Sequence, residues 1–310
     1  QIISGLLMLF EQPFRIGDWL DTPAAKGRVV EVNWRAVHLE TGTGLQITPN
    51  SVLAGASFTN LSRPPGKHTI TVISIFSVDD PPDQVCAMLV RVASELSQCH
   101  PDRSPTAVPK GTMEFQTTIP LRSPADDGKA RSTFLRWIWY ASRRDGLHLD
   151  EATDDFSAPE RVSEAVRTVV APTFRLTRGQ QDQILEGATL MRYGAGELVQ
   201  RSGEVPDAMR FIVSGSIQLT ATAEDGSEVV AATIDEGSYL GQTTLTRQTV
   251  IGSGYAVGEV TVVHIAREQI EEVVHGDPLL LQELGRSIEE RHDYMIRAAA
   301  STDSDDTVDS

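Results

Sequence analysis

Two cysteines in 310 residues are too few for a disulfide framework, and Cys86 and Cys99 read as free thiols of a reducing compartment. Basic residues are also scarce. There are 27 Lys and Arg against 43 Asp and Glu, a net charge of −16, with no basic run. Nucleic-acid binding needs clustered cations on the phosphates, so no nucleic-acid partner is expected. No apolar run reaches the roughly 20 residues that span a bilayer. The nearest approach is Ile2 to Phe10, broken by Ser4 and Gly5. There is no leader of the basic-then-apolar kind. The chain opens on Gln1 inside that run, so it reads as a piece whose preceding residues would complete a span. The seven histidines are scattered, and His100 beside Cys99 is no ligand set. Gly252-Ser253-Gly254 lacks the flanking spacing of a nucleophile elbow. With no acid–base pair or nucleophile constellation, an enzyme is not expected. Asn60-Leu61-Ser62 fits a glycosylation acceptor but is a common tripeptide.

In the first half, Pro13 limits an apolar helix end. Gly27 to Trp34 alternates, with Val30 and Val32 on one face, Ala36 to Glu40 pairs back, and Leu45 to Thr48 runs to a turn at Pro49-Asn50. Four or five short strands in about forty residues predict a small β-barrel-like module. His68 to Phe76 predicts a strand, and Asp79-Asp-Pro-Pro-Asp83 opens a helix with Val85, Leu89, Val92 and Leu96 on one face. Met113 to Leu121 predicts a second strand, Ser132 to Arg143 an aromatic-rich helix, and Leu147 to Leu149 a last short strand.

In the second half, residues 150–155 are acidic and polar and read as a linker. Pro159 to Val170 is helical, with Val162, Ala165, Val166 and Val169 on one side. Phe174, Leu176, Ile184, Leu185 and Leu190 anchor a helical lead-in. Glycines then punctuate short apolar runs: Gly194 and Gly196, Gly203, Gly215, the hairpin signal Asp225-Gly226, and Gly237. Strands this evenly spaced predict a small antiparallel barrel or roll. Two helices follow, Arg267 to Val274 and Pro278 to Ala298, and Ser301 to Ser310 is an acidic tail expected to be disordered.

The pattern Tyr193-x-x-Gly196-Glu197, Gly203-Glu204, Phe211-Ile-x-Ser-Gly215 and Gly237-x-x-x-Gly241-Gln242 resembles the cyclic-nucleotide-binding domain family. The resemblance implies a cassette around Gly241, Gln242, Thr243 and Thr244 that offers backbone N–H groups to a cyclic phosphate. It also implies a glutamate on the ribose and an arginine about ten residues on that pairs with the phosphate. Here Gln242 stands at the glutamate position, and Val250 and Ile251 stand where the arginine is due. Arg247 lies three or four residues early, and Tyr255 lies beyond the cassette as a residue able to stack on a base or fill the pocket. Losing a charge-assisted hydrogen bond costs roughly 1.5–3 kcal/mol. Two readings stay open: a domain that keeps the fold without ordinary binding of cAMP or cGMP, or an atypical site for one of them.

A second set of signals resembles the small-conductance mechanosensitive (MscS-type) channel family. It comprises Gly5, Pro13-Phe14-Arg15-x-Gly17-Asp18, Gly27-x-Val29, Pro49-Asn50-x-x-Leu53 and Asn60-x-Ser62. The resemblance implies that Gly5 is the kink of a pore helix carrying Leu6 and Leu9. A β domain and an α/β vestibule domain would follow, in a homo-oligomer of seven copies. The resulting expectation is a multi-domain α+β chain. It divides into the end of a pore helix (1–14), a β domain (15–62), a ferredoxin-like α/β vestibule domain (63–150) and a linker with a helix (151–171). A cyclic-nucleotide-binding-type roll (172–298) and the acidic tail (299–310) complete it. The implied protein is a channel subunit of the plasma (inner) membrane, touching lipid through its N-terminal helix, with cAMP or cGMP as the candidate regulatory ligand. The alternatives are a cyclic-nucleotide-gated channel with an atypical site, or a non-channel signalling or scaffold protein. A soluble transcription regulator would need a DNA-binding motif after the roll, where only the acidic tail remains.

Overall fold

The computed structural model describes residues 11–223, 226–275 and 277–301. The expectations for Gly5, Leu6 and Leu9, for Asp225, and for residues 302–310 of the tail lie outside these. The chain forms two compact units, Gln1–Leu135 and Arg136–Ser310.

The first unit opens with a five-stranded antiparallel sheet. Its strands are β1 (Trp19–Asp21), β2 (Lys26–Val32), β3 (Ala36–Thr41), β4 (Gly44–Pro49) and β5 (Thr59–Asn60), in the order β4-β3-β2-β1-β5. The helix α1 (Asn50–Ala54) follows β4 and places Leu53 in a core with Phe14, Leu20, Val29, Val37 and Leu39. One expectation is corrected. A register shift between Val29 and Glu31 interrupts the alternation of β2, so Gly27 and Val29 face inward while Val30 is exposed. A side chain at Gly27 would meet Glu40 O at 2.6 Å, which is why the strands approach closely there.

The spaced signals of this segment meet in space. Asp18 accepts from Arg15 N at 2.9 Å and from Asn60 Nδ2 at 2.9 Å, and Arg63 Nε lies 3.1 Å away. Ser62 Oγ accepts from Trp19 N at 2.9 Å. Burial would raise the Asp18 pKa, but the Asn60 and Arg15 hydrogen bonds and nearby arginine charge hold it below the usual value.

A second, three-stranded sheet holds β6 (Thr69–Ile75), β7 (Thr106–Pro109) and β8 (Glu114–Pro120) in the order β6-β8-β7, all antiparallel. The helix α2 (Pro82–Ser94) places Val85, Leu89 and Val92 in the core, with Leu96 just beyond its end. Three details differ from the sequence reading. The strand β7 was not foreseen, because its four residues carry only an edge pairing. The segment 147–149 forms no strand element: Leu147 and Leu149 are buried, and Leu149 makes only an isolated bridge. The helix α3 runs Asp127–Arg144, starting earlier than the aromatic run suggests, because Ser123 caps a 3-10 turn that leads into it. Cys86 and Cys99 are free thiols.

The second unit takes in the end of α3 from Arg136 and the segment 147–149, and continues with helical turns. These are α4 (Pro159–Ala165), a π-turn over Val166–Val170, α5 (Ala171–Phe174) and α6 (Arg178–Leu185) with a Thr177–Gln180 capping box. Eight strands then make two four-stranded sheets. They are β9 (Thr189–Tyr193), β10 (Leu198–Gln200), β11 (Ala208–Ser214), β12 (Ile217–Thr222), β13 (Glu228–Ile234), β14 (Tyr239–Leu240), β15 (Ser253–Ala256) and β16 (Val260–Ala266). The orders β10-β15-β12-β13 and β14-β11-β16-β9 build the expected roll. The helices α7 (Arg267–His275) and α8 (Pro278–Ser301) close it. One core lies under the helices, where Phe174, Phe211 and Tyr239 stack at 5.1–5.5 Å between ring centres. The other fills the roll and takes in Met295 from α8. Among the described residues, no helix is long and apolar enough to cross a membrane.

Phe211 is fully buried at the aromatic junction. Phe211→Ala is expected to cost about 3–5 kcal/mol of stability in denaturant unfolding, and a loss under about 1 kcal/mol would refute its central place. In the first unit, Asp127 bonds His68 Nε2 at 2.6 Å and pairs with Lys26. Burial would raise its pKa, but these two partners hold it below the usual value. A depressed carboxylate stabilises fully above about pH 4 and loses that contribution as pH falls through its folded-state value. Circular dichroism against pH should therefore show an acid-side loss that Asp127→Asn lacks. Superimposable acid transitions would contradict this.

Candidate functional site

Gly241 ends β14 with φ at 79°, and a side chain there would meet Ala208 O at 2.1 Å. Only glycine lets the chain turn this close to β11. Gln242–Thr244 then form a 3-10 turn. Gly241 N donates to Gln200 Oε1 at 3.1 Å. Thr244 is occupied structurally: its hydroxyl donates to Pro206 O at 2.8 Å and accepts from Arg267 Nε at 3.0 Å. The Thr243 hydroxyl oxygen is buried and without a partner among the described residues.

A cavity of about 60 Å³ opens beside this turn. Gln242, Thr243, Val250 and Ile251 line it on the roll side, and Arg291 and Met295 on the side of α8. Four of the residues named from the sequence thus border one space. Val250 and Ile251 present only apolar surface to it. Arg247 does not border it, being exposed in a left-handed turn with φ at 53°. Tyr255 also lies elsewhere, its hydroxyl 3.2 Å from both carboxylate oxygens of Glu228. The acidic neighbour and burial raise its pKa, burial being the larger cause.

Sequence reasoning missed the contribution of α8. Arg291 Nη1 donates to Tyr239 O at 2.7 Å and to Gln242 Oε1 at 3.2 Å. Tyr239 OH bonds Ser287 Oγ at 3.0 Å, and Tyr294 OH donates to Ala231 O at 3.0 Å. Met295 is buried, and its Cε lies where a side chain at Gly252 would be. The helix therefore sits over the cassette through a row at 287, 291, 294 and 295, the i, i+4, i+7, i+8 spacing of one helical face. That row was legible in principle, but Ser287, Arg291 and Tyr294 do not stand out as apolar positions.

The motif glutamate Glu197 serves a different purpose. It is buried and accepts from Gly194 N at 2.6 Å and from Arg144 Nη2 at 2.6 Å. Arg144 Nη1 also donates to Arg192 O at 2.6 Å, and its guanidinium lies 4.2 Å from the Tyr193 ring centre. Burial would lower the Arg144 pKa, but Glu197 outweighs it and raises the value. From the same helix, Trp137 Nε1 donates to Ala195 O at 3.1 Å, and Tyr140 OH donates to Glu259 Oε2 at 2.7 Å. The last turns of α3 are thus fastened to the glycine turn 194–197. Among the described residues, no group of three or more His, Cys, Asp or Glu side chains could hold a metal.

Comparison with known proteins places two domains on this chain. Residues 1–63 match the family model for the mechanosensitive ion channel β-domain, and residues 190–277 match that for the cyclic nucleotide-binding domain. Two separate segments of the chain thus match the models of two families, each over less than half of its length. Over 61 residues it is 37% identical to an uncharacterized MscS family protein, YhdY, of Bacillus subtilis, covering 19% of this chain and 16% of that one. Over 101 residues it is 29% identical to the low conductance mechanosensitive channel YnaI of Escherichia coli, covering 32% of this chain and 29% of that one. The matches thus span less than a third of either relative's length. Similar solved structures include the sensor domain of the transcriptional regulator DNR from Pseudomonas aeruginosa, with TM-score 0.37 and 16% identity over 48% of this chain and 98% of that one. A cyclic nucleotide-binding-like protein from Brucella abortus has TM-score 0.31 and 25% identity over 37% and 97%.

Removing one partner of a buried ion pair strands the other charge. Glu197→Ala is expected to cost about 3–5 kcal/mol in denaturant unfolding. A variant as stable as the parent would show that the pair does not hold this turn.

Proposed function

We propose that this chain is part of a subunit of an MscS-type mechanosensitive channel of the plasma (inner) membrane, with its C-terminal domain acting as a regulator. The observation that carries this is the occurrence on one chain of an MscS β-domain at residues 1–63 and a cyclic-nucleotide-binding domain at 190–277. The Asp18–Asn60 and Trp19–Ser62 contacts support it. They account for the spacing of the β-domain signals by a structural need. In this reading residues 1–14 end a pore helix that meets lipid, and Gly5, Leu6 and Leu9 belong to it. Residues 63–150 form the vestibule domain, and the subunit assembles as a homo-oligomer, a heptamer on the family pattern. Membrane tension opens the pore. The C-terminal domain shifts that equilibrium only as far as a ligand or contact distinguishes the two states.

The test is made on the whole protein. Detergent-solubilised protein should be a ring oligomer by light scattering. Reconstituted into liposomes, it should pass current under suction in patch recordings. A monomer without tension-dependent current would overturn the reading in favour of a signalling or scaffold protein.

A further inference from the structure

The cassette has no cation on its own strands. Val250 and Ile251 border the cavity, and Arg247 is exposed and does not border it. A cation comes instead from α8. Arg291 spends Nη1 on two neutral acceptors, Tyr239 O and Gln242 Oε1. A guanidinium carries five N–H donors. Nε and Nη2 of Arg291 make no hydrogen bond to the described residues, and the side chain lines the cavity together with the unpartnered Thr243 hydroxyl. Burial lowers the Arg291 pKa, opposed by Tyr239. The contrast with Arg144 is direct, since Arg144 is also half-buried but rests on Glu197. Among the described residues, Arg291 makes no ion pair with a carboxylate. The residue it touches at the cassette is a glutamine, and a glutamate in that position would neutralise it.

We propose that Arg291 is the charge partner of a phosphate-bearing ligand of the cyclic-nucleotide class, supplied to the Gly241–Thr244 cassette by the C-terminal helix rather than by a strand. The proposal rests on the reading of this domain as a regulatory module and adds the residue that selects for an anion. It has a mechanical consequence. Ligand pockets commonly measure roughly 300–1,000 Å³, against about 60 Å³ here. Entry of a nucleotide therefore requires α8 to move, and α8 carries the cation that the phosphate meets. Binding and the position of the helix are then one equilibrium.

The experiment is calorimetric titration of the full chain with cAMP, with cGMP and separately with inorganic phosphate. Thermal unfolding of every variant is followed in parallel. At least one cyclic nucleotide should bind, and more tightly than phosphate. Arg291→Gln should weaken that binding about ten- to a hundredfold, the equivalent of the roughly 1.5–3 kcal/mol of a charge-assisted hydrogen bond. Arg291→Lys should recover part of the loss. Arg286→Gln, an exposed site on the same helix, should leave the affinity unchanged. Arg291→Lys keeps the positive charge and gives a second reading if Arg291→Gln fails to fold. Unchanged affinity in Arg291→Gln, affinity in Arg291→Lys no better than in Arg291→Gln, or phosphate binding as tightly as either nucleotide would each overturn the proposal. So would the absence of heat with both nucleotides up to millimolar concentration. None of these results bears on tension-dependent current recorded without nucleotide, so failure here leaves the channel reading standing.

Discussion

A β-roll closes its sheets against each other but leaves a mouth at the cassette, and in this protein α8 covers that mouth. The helix does so with one face: Ser287 to Tyr239, Arg291 to Gln242, Tyr294 to Ala231, and Met295 into the core shared with Leu219 and Leu240. The contact is part apolar and part polar. The apolar part drives the helix onto the roll, because burying a Met side chain is worth about 1.5–3 kcal/mol. The polar part fixes its register, because backbone carbonyls at Tyr239 and Ala231 accept bonds only from donors at the right height. The shape of the cassette is therefore a joint property of strand β14, the 3-10 turn and a helix some fifty residues later.

Two half-buried arginines of this domain meet different kinds of partner. Arg144 meets a carboxylate, two backbone groups join the network, and the turn at Gly194–Glu197 is held firmly. Arg291 meets an amide and a carbonyl, and among the described residues no carboxylate pairs with it. A half-buried charge without a counter-charge keeps part of its desolvation cost. The motif glutamate that sequence patterns draw attention to, Glu197, holds the fold. The residue at the cassette itself, Gln242, offers Arg291 a neutral amide oxygen.

The first unit shows the same economy in a simpler form. Asp18 gathers Arg15 N, Asn60 Nδ2 and Arg63 Nε, so residues far apart in sequence close the sheet. Asp127 does likewise with His68 and Lys26 at the start of α3. Each carboxylate is stabilised in its charged form by more than one donor, which offsets the cost of partial burial.

Local chemistry determined much of this protein at the level of sequence. Glycines at 196, 203, 215, 237 and 241 broke the chain where tight turns were required, and the helical spacing of Val85, Leu89 and Val92 marked the buried face of α2. These features follow from nearest neighbours in the chain, so periodicity and turn chemistry reveal them. The cassette position was legible for the same reason, since Gly241 must turn against Ala208. The bulge that turns Val30 outward, the short edge strand β7 and the buried coil at Leu147 depended on pairing and packing with distant residues. So did the cation of the site. Arg291 is one arginine among many in the sequence. Only the packing of Met295 and Tyr294 on the roll sets the helix at the rotation that turns Arg291 toward Gln242. Sequence fixes the turn, because a turn is a local conformational demand. Tertiary structure decides the charge beside it, because that charge arrives on another element.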